Sequence, residues 1–289
     1  MIAAKPSRLR LDSASREALG RFLTNPRYEV LPTEQAGDLV NRYVPTEVTI
    51  TVTSSPRRGI EATLALAEKL SANGYQIVPH LAARLVRDES HLKEILARLD
   101  VIGGRVFVVA GDSQEAAGEF PDSISLLEAI ASHGPAMKEI GVTGYPERHG
   151  FIDDDLTIQA MWDKRRLATY IVSNLCFDVR VVKKWVARVR KRRVPLPIVI
   201  GMAGVADPAK LLRMSTRIGI ADSARFLRGH TNWLMRMIQP GGYAPERFAT
   251  GLMPELARPE MNVAGIHVFT FNEIEPTEQW RQQMLARLR

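Results

Sequence analysis

The chain has a single cysteine, Cys176, in 289 residues. No internal disulfide can form, and a reducing cytoplasm is the expected compartment. No apolar stretch approaches the roughly 18 to 20 residues that a membrane span requires, so no membrane partner is expected. Residues 1–10 are basic but lack the apolar core of a signal peptide. There is no Gly-x-Gly-x-x-Gly turn and no phosphate-binding P-loop, so any nucleotide must bind elsewhere than on a Rossmann unit. Zinc-finger spacing, a tight His-x-His or His-x-x-x-His pair and an aromatic RNA-binding motif are all absent. No linker or low-complexity segment divides residues 1–289, which therefore read as one domain.

What is present is ordinary for a globular protein: 45% hydrophobic and 25% charged residues. The net charge of +7 is compatible with nucleic acid, acidic lipid or small polyanions such as nucleotides. Its densest block, residues 183–193, interleaves Lys183, Lys184, Arg188 and Arg190 with Val182, Trp185, Val186 and Val189 at helical spacing. That pattern predicts one solvated face of an amphipathic helix, and nucleic acid is not expected as a partner.

Runs rich in β-branched and apolar residues recur at 27–31, 47–53, 76–81, 105–110, 139–144, 169–177, 197–202 and 265–271. Buried parallel strands need apolar residues on both faces, and these runs have them. Helical patterns follow: 1–26 as an amphipathic lead-in carrying Leu19, Phe22 and Leu23, then a helix capped by Ser54-Ser55-Pro56 and stopped at Gly74. Further helices are expected near 89–99, 123–132, 156–166 and 276–289, one opened by Asp207-Pro208, and a mostly helical stretch over 218–259. Eight strands alternating with helices predict an α/β fold, a single (β/α)8 TIM barrel. Polar signatures stand at the strand ends: Glu29, His80, Gly111-Asp112, Tyr145 to His149, and Asn174. That end of such a barrel is where active sites are built, so an enzyme is expected.

Several of these stretches carry a resemblance. Tyr28-Glu29-Val30-Leu31-Pro32, Val52-Thr53, Pro79-His80-Leu81, Val109-Ala110-Gly111-Asp112 and Gly144-Tyr145-Pro146-Glu147-Arg148-His149 follow one another in order. Ser173-Asn174-Leu175-Cys176-Phe177-Asp178, Ile200-Gly201-Met202 and His267-Val268-Phe269-Thr270-Phe271-Asn272 complete the set. Together they resemble the methylenetetrahydrofolate reductase family, along nearly the whole chain. The resemblance implies reduction of 5,10-methylenetetrahydrofolate to 5-methyltetrahydrofolate by NADH or NADPH through FAD.

Within that resemblance Glu29 is the general acid that protonates N10 of the folate, a role for which burial would have to keep its carboxyl protonated. Asp112 matches a residue that holds the pterin or tunes the flavin. Thr53, His80, Tyr145 and His149 match flavin contacts, as do Ala110 and Gly111 by position, and Lys164 falls near a diphosphate contact. Asn174 and Pro208 align with substrate-binding positions. Plainer roles are open for each: a strand-end glutamate pairing with an arginine, an N-cap for Asp112, a structural histidine for His80, a solvated helix lysine for Lys164.

The pattern is broken in four places. Ala110 stands where the family has arginine, Asn174 where it has glutamine, Pro208 where it has a stacking phenylalanine, and Glu273 where it has arginine. Loss of the arginine keeps open a flavin-independent relative that passes hydride from NADH straight to the folate. A metal-dependent barrel lyase or hydrolase using His80, Asp112, Glu147 and His149 is a further reading. No resident metal is expected under the reductase reading. The expected partner is the tetrahydrofolate substrate, with a homo-oligomer left open.

Overall fold

In the computed structural model the described residues are 9–113, 115–146, 154–205 and 243–289. Eight strands close into a barrel in chain order: β1 (Arg27–Val30), β2 (Thr49–Val52), β3 (Ile77–Ala82), β4 (Arg105–Val109), β5 (Glu139–Gly144), β6 (Tyr170–Ser173), β7 (Ile198–Ala203) and β8 (Val263–Phe269). Every neighbouring pair is parallel, including the β1–β8 pair that completes the ring. The helices described are α1 (Ser13–Thr24), α2 (Ala36–Tyr43), α3 (Gly59–Ala72), α4 (Glu89–Val101), α5 (Ser123–His133), α6 (Asp154–Asp163), α7 (Val179–Lys191), α8 (Pro245–Leu256) and α9 (Ile274–Leu288). The expected (β/α)8 barrel is what the chain forms.

Alternation along the strands sorts residues into two apolar cores. The outer core lies between strands and helices and contains Tyr28, Val30, Ile50, Val52, Ile77, Leu81, Val106 and Val108. A small inner core fills the barrel with Val78, Phe107, Tyr170, Val172 and Val199. At the N-terminal end of the strands the interior turns polar. There the Arg27 guanidinium donates to Glu139 at 2.9 Å and to the Tyr170 hydroxyl at 3.1 Å. Arg105 donates to the same glutamate at 3.3 Å. The paired charges plug that end, and chemistry is left to the other.

Several expectations need adjustment. Helix α3 begins at Gly59, with no side chain capping it, so Ser54-Ser55-Pro56 forms a turn ahead of the helix instead of its cap. The Ser55 carbonyl accepts from Arg58 N and Gly59 N there. Strand β6 ends at Ser173, since Asn174 Oδ1 turns onto Leu175 N at 2.8 Å and breaks the ladder. Helix α2 lies between β1 and β2, where no helix was expected. The lead-in holds: α1 buries Leu19, Phe22 and Leu23. Helix α7 buries Val182, Trp185, Val186 and Val189 and exposes Lys184, Arg188 and Lys191. Arg190 is not on that solvated face: it donates to the carbonyls of Met261, Val194 and Leu196. The Asp207-Pro208 helix start and most of 218–259 lie outside the described residues, with α8 the part that is described.

Candidate active site

Glu29 is the third residue of β1. Tyr28 before it points outward, its hydroxyl donating to Glu278 at 2.9 Å, so the alternation turns Glu29 into the barrel. Two imidazoles meet it there. His267 Nε2, on β8, lies 3.1 Å from Glu29 Oε2, and His80 Nε2, on β3, lies 3.8 Å from the same oxygen. Glu29 Oε1 is in neither contact. The side chains are 17% exposed for Glu29, 10% for His80 and 3% for His267, so the glutamate is the member nearest the opening.

Burial pushes the Glu29 carboxyl up, but the His267 hydrogen bond and the charges of His80 and His267 outweigh it. The net effect is a carboxyl below its ordinary value. This corrects the expectation that burial alone would keep it protonated: the apolar strand is as expected, but the facing imidazoles stabilise the carboxylate. His80 is held down to about 4, chiefly by burial, with Glu29 opposing and His267 adding. A neutral His80 exerts little pull near neutral pH, so the His267 contact is the one that operates there.

Around this cluster the mouth is polar and partly unsatisfied. Thr53 Oγ1, Ser54 Oγ and His80 Nε2 are buried with no hydrogen-bond partner among the described residues. Thr53 itself is fixed, its amide donating to Val30 O at 3.0 Å and its carbonyl accepting from Thr63 Oγ1 at 2.8 Å. His80 packs on Phe107, ring centroids 4.7 Å apart. Buried polar atoms are rarely left unpaired, so these orphans point to a polar ligand between β2 and β3.

Gly111 adopts φ +94, and a Cβ there would come within 3.0 Å of Ala82 Cβ, so only glycine fits this turn. Asp112 follows it on the rim, exposed. It does not cap α5, because Asp122 does so by accepting from Ile124 N and Ser125 N. Tyr145 is raised by burial and by the Asp112 carboxylate, against a hydrogen bond with Thr143, so Asp112 and Tyr145 share one side of the mouth. Asn174 is exposed, with its amide on Gly144 O at 2.6 Å. His149 and Pro208 lie outside the described residues.

Ala110 presents only a methyl group, and its carbonyl accepts from Arg84 N at 3.0 Å. The Arg84 guanidinium, just past the Pro79-His80-Leu81 stretch, is spent on Ser113 O at 2.8 Å and Pro121 O at 2.9 Å, which fastens the loop after β4. Lys164 is no solvated helix lysine. It sits in a 3₁₀ turn, partly buried, with Nζ donating to Ser123 Oγ at 2.6 Å. Burial lowers its ammonium, against the charges of Asp122 and Asp163.

The structure therefore joins Glu29 with His80 directly and sets Thr53 on the neighbouring strand, while Lys164 is committed to Ser123. It also brings in His267, which stood in the sequence within a quoted stretch but was given no role. Its only signal was its inward parity with Phe269. Among the described residues no group of three or more His, Cys, Asp or Glu is arranged to hold a metal ion, and Glu147 and His149 of the metal reading lie outside them.

Comparison with solved structures returns distant matches. One is tryptophan synthase from M. tuberculosis, in an aminoacrylate-bound form: 12% identity, TM-score 0.48, covering 98% of this chain and 99% of that one. A lyase or mutase from Burkholderia cenocepacia matches at 15% identity and TM-score 0.47, over 94% of this chain and 84% of that one. EDTA monooxygenase from Chelativorans matches at 9% and 0.49, over 99% and 91%. None is near enough to bear on chemistry. The family model described as methylenetetrahydrofolate reductase is different in kind, since it matches residues 33–279. A match running from the loop after β1 into α9 takes in seven of the eight strands, and the chain belongs to the methylenetetrahydrofolate reductase family.

Proposed function

We propose that this protein reduces 5,10-methylenetetrahydrofolate to 5-methyltetrahydrofolate with NADH or NADPH, through bound FAD. The observation that carries the reading is Glu29, an inward carboxyl at the mouth of the barrel with both imidazole contacts on Oε2. The family match begins at residue 33, so the role of Glu29 rests on this geometry and on the motif around it. Opening the five-membered ring of the substrate requires a proton on N10, which leaves an iminium carbon able to accept hydride. Glu29 is the group to deliver that proton.

The residues of the mouth fit a flavin. Thr53 Oγ1 and His80 Nε2 are buried donors or acceptors with no hydrogen-bond partner among the described residues, suited to the polar edge of a planar ring. Thr53, His80, Ala110, Gly111, Tyr145 and His149 would hold the ring, and Lys164 would meet the diphosphate by giving up Ser123. FAD, when bound, supplies two-electron chemistry between the nicotinamide and the substrate carbon. Asp112 and Asn174 would hold the pterin from the rim, and Pro208 would lie against the substrate. The closed barrel floor of Arg27, Arg105 and Glu139 confines substrate entry to the opposite end.

Ala110 favours a second reading. With no guanidinium at that strand end, and with Arg84 committed to loop carbonyls, hydride could pass from NADH directly to the folate. An absorption spectrum from 300 to 550 nm, with and without added FAD, separates the two. Flavin bands that bleach with NAD(P)H and recover with methylenetetrahydrofolate are expected. A colourless protein that oxidises NADH only when the folate is present would establish direct transfer. For Glu29, the variant Glu29→Gln should lose folate reduction by roughly 100-fold or more, the scale of general acid catalysis. Folate reduction at the wild-type rate in that variant would end the assignment.

A further inference from the structure

We propose that Glu29 and His267 hold one proton between them, and that His267 is the group that restores the proton of Glu29 in every turnover. The proposal rests on Glu29 being the acid of the reaction proposed above. Its basis is the order of the groups. Arg27 pairs in register with His267 and Glu29 with Phe269, so His267 stands one inward step deeper in the barrel than the strand position of Glu29. With His267 almost wholly buried and Glu29 nearer the opening, the carboxyl lies between substrate and imidazole.

Both partners are fixed. The Glu29 carbonyl accepts from Thr270 Oγ1 at 2.6 Å and from Thr270 N at 3.3 Å. The His267 ring rests edge-on against Phe269, with centroids 4.8 Å apart. A 3.1 Å separation between Nε2 and Oε2 lets a proton cross without movement of either chain. With the carboxylate ionised, Nε2–H donates to Oε2, and the proton becomes transferable when the ring's other nitrogen, Nδ1, buried with no hydrogen-bond partner among the described residues, is protonated as well.

The other charged groups facing the pair do not compete for this proton. Arg27, the β1 register partner of His267, shares Glu139 with Arg105, so this end keeps one net positive charge but offers no group that accepts a proton from the pair. His80, on β3, faces the same carboxylate oxygen but is kept neutral above about pH 4 by its burial. An acid whose carboxylate is stabilised can still be a proton source when its partner holds the proton at hydrogen-bond distance. The balance is simple. The imidazolium proton crosses to the carboxylate, and the carboxyl delivers it to N10 of the folate. Hydride comes from NAD(P)H, and the pair regains one proton from water.

The test compares His267→Gln with His267→Ala, because glutamine can donate a hydrogen bond to Glu29 but cannot carry a transferable proton at neutral pH. If His267 supplies the proton, both variants lose kcat for folate reduction by roughly tenfold or more, while the folate KM changes far less. The pH profile of kcat also changes in both, because Glu29 must then take its proton directly from water. Wild-type kcat and an unchanged profile in His267→Gln would reduce His267 to a positioning group and overturn the proposal. Glu29→Gln run alongside keeps the two ideas apart: full activity there removes the acid assignment itself. If His267→Gln does not fold, by thermal melting, the pH profile of wild-type kcat decides: a fall at alkaline pH is expected, and a profile with no such fall overturns the proposal.

Discussion

Asn272 holds Leu31 by both backbone groups: its Oδ1 accepts from Leu31 N at 2.9 Å and its Nδ2 donates to Leu31 O at 3.1 Å. The same Nδ2 lies 3.0 Å from Thr33 Oγ1. One side chain on the loop after β8 thus latches the exit of β1, two residues beyond Glu29. Asn272 has φ +59, a left-handed conformation that asparagine tolerates better than most residues.

Asn272→Ala should therefore cost on two counts, the lost hydrogen bonds and a strained backbone, in all about 2–4 kcal/mol. Asn272→Gly keeps the backbone relaxed and should cost about 1 kcal/mol less. Urea denaturation of both variants measures the difference. Equal losses would mean that the left-handed backbone contributes nothing.

Much of this architecture was legible because β-branched runs and apolar parity are local. The reading of β5 as 139–144 agrees with the structure to the residue, and the α7 face was set by Val182, Trp185, Val186 and Val189. Strand β6 was read too long because Cys176 and Phe177 continue an apolar run. Cys176 is buried after the chain has already left the sheet. The pair of Glu29 and His267 spans 238 residues and forms only when β8 closes on β1. Alternation along β1 and β8 turns both inward, but no spacing in the sequence tells which inward residues of the first and last strands meet. The same distance hid the influence of the imidazoles on the Glu29 carboxyl.

A second closure lies on the outer side of β1. Arg281 and Glu278, on α9, form a buried ion pair at 2.7 Å, joined by the Tyr28 hydroxyl and by Leu23 O of α1, which accepts from Arg281 at 2.8 Å. Removing one partner strands a buried charge, so Arg281→Met should lose about 3–5 kcal/mol. That lowers Tm by roughly 6–15 °C for a domain of this size. Adding Glu278→Leu to Arg281→Met should restore most of the loss, since neither charge is then left unpaired. A double variant no more stable than the single one would show that the pair itself holds α9 in place.

Gly201 of β7 packs against both β6 and β8. Its amide donates to Ser173 Oγ at 2.7 Å, and a Cβ would overlap the Ser173 carbonyl and come within 2.8 Å of the Phe269 ring. Gly201→Ala should destabilise by about 1–3 kcal/mol, the usual range for overpacking. Because Phe269 also rests on His267, the variant should lose folate reduction beyond its loss of stability. Activity per folded molecule equal to wild type would show that Phe269 can move without disturbing the pair.

The buried imidazole of His80 sets a pH dependence of stability. In the fold it titrates at about 4, against 6.5 for an unperturbed histidine. Between these values the unfolded chain binds a proton that the folded chain refuses. Stability from this group is therefore full above pH 6.5, falls as the pH drops from 6.5 towards 4, and levels off below. Across the whole window the loss is roughly 3 kcal/mol. Glu29 acts in the same direction at lower pH: its carboxyl is lowered in the fold, so its contribution is present above 4.5 and is lost as the pH falls through its folded value. His91, also lowered chiefly by burial, titrates in wild type and variant alike and cancels in the comparison. Melting temperatures at pH 7, 6, 5, 4 and 3 for wild type and His80→Asn isolate the His80 share. The wild type should lose stability more steeply than the variant between pH 6.5 and 4, and the two should run parallel below. Parallel curves throughout would mean that His80 takes up its proton as readily in the fold as out of it, and the neutral role given to it beside Glu29 would fall with that result.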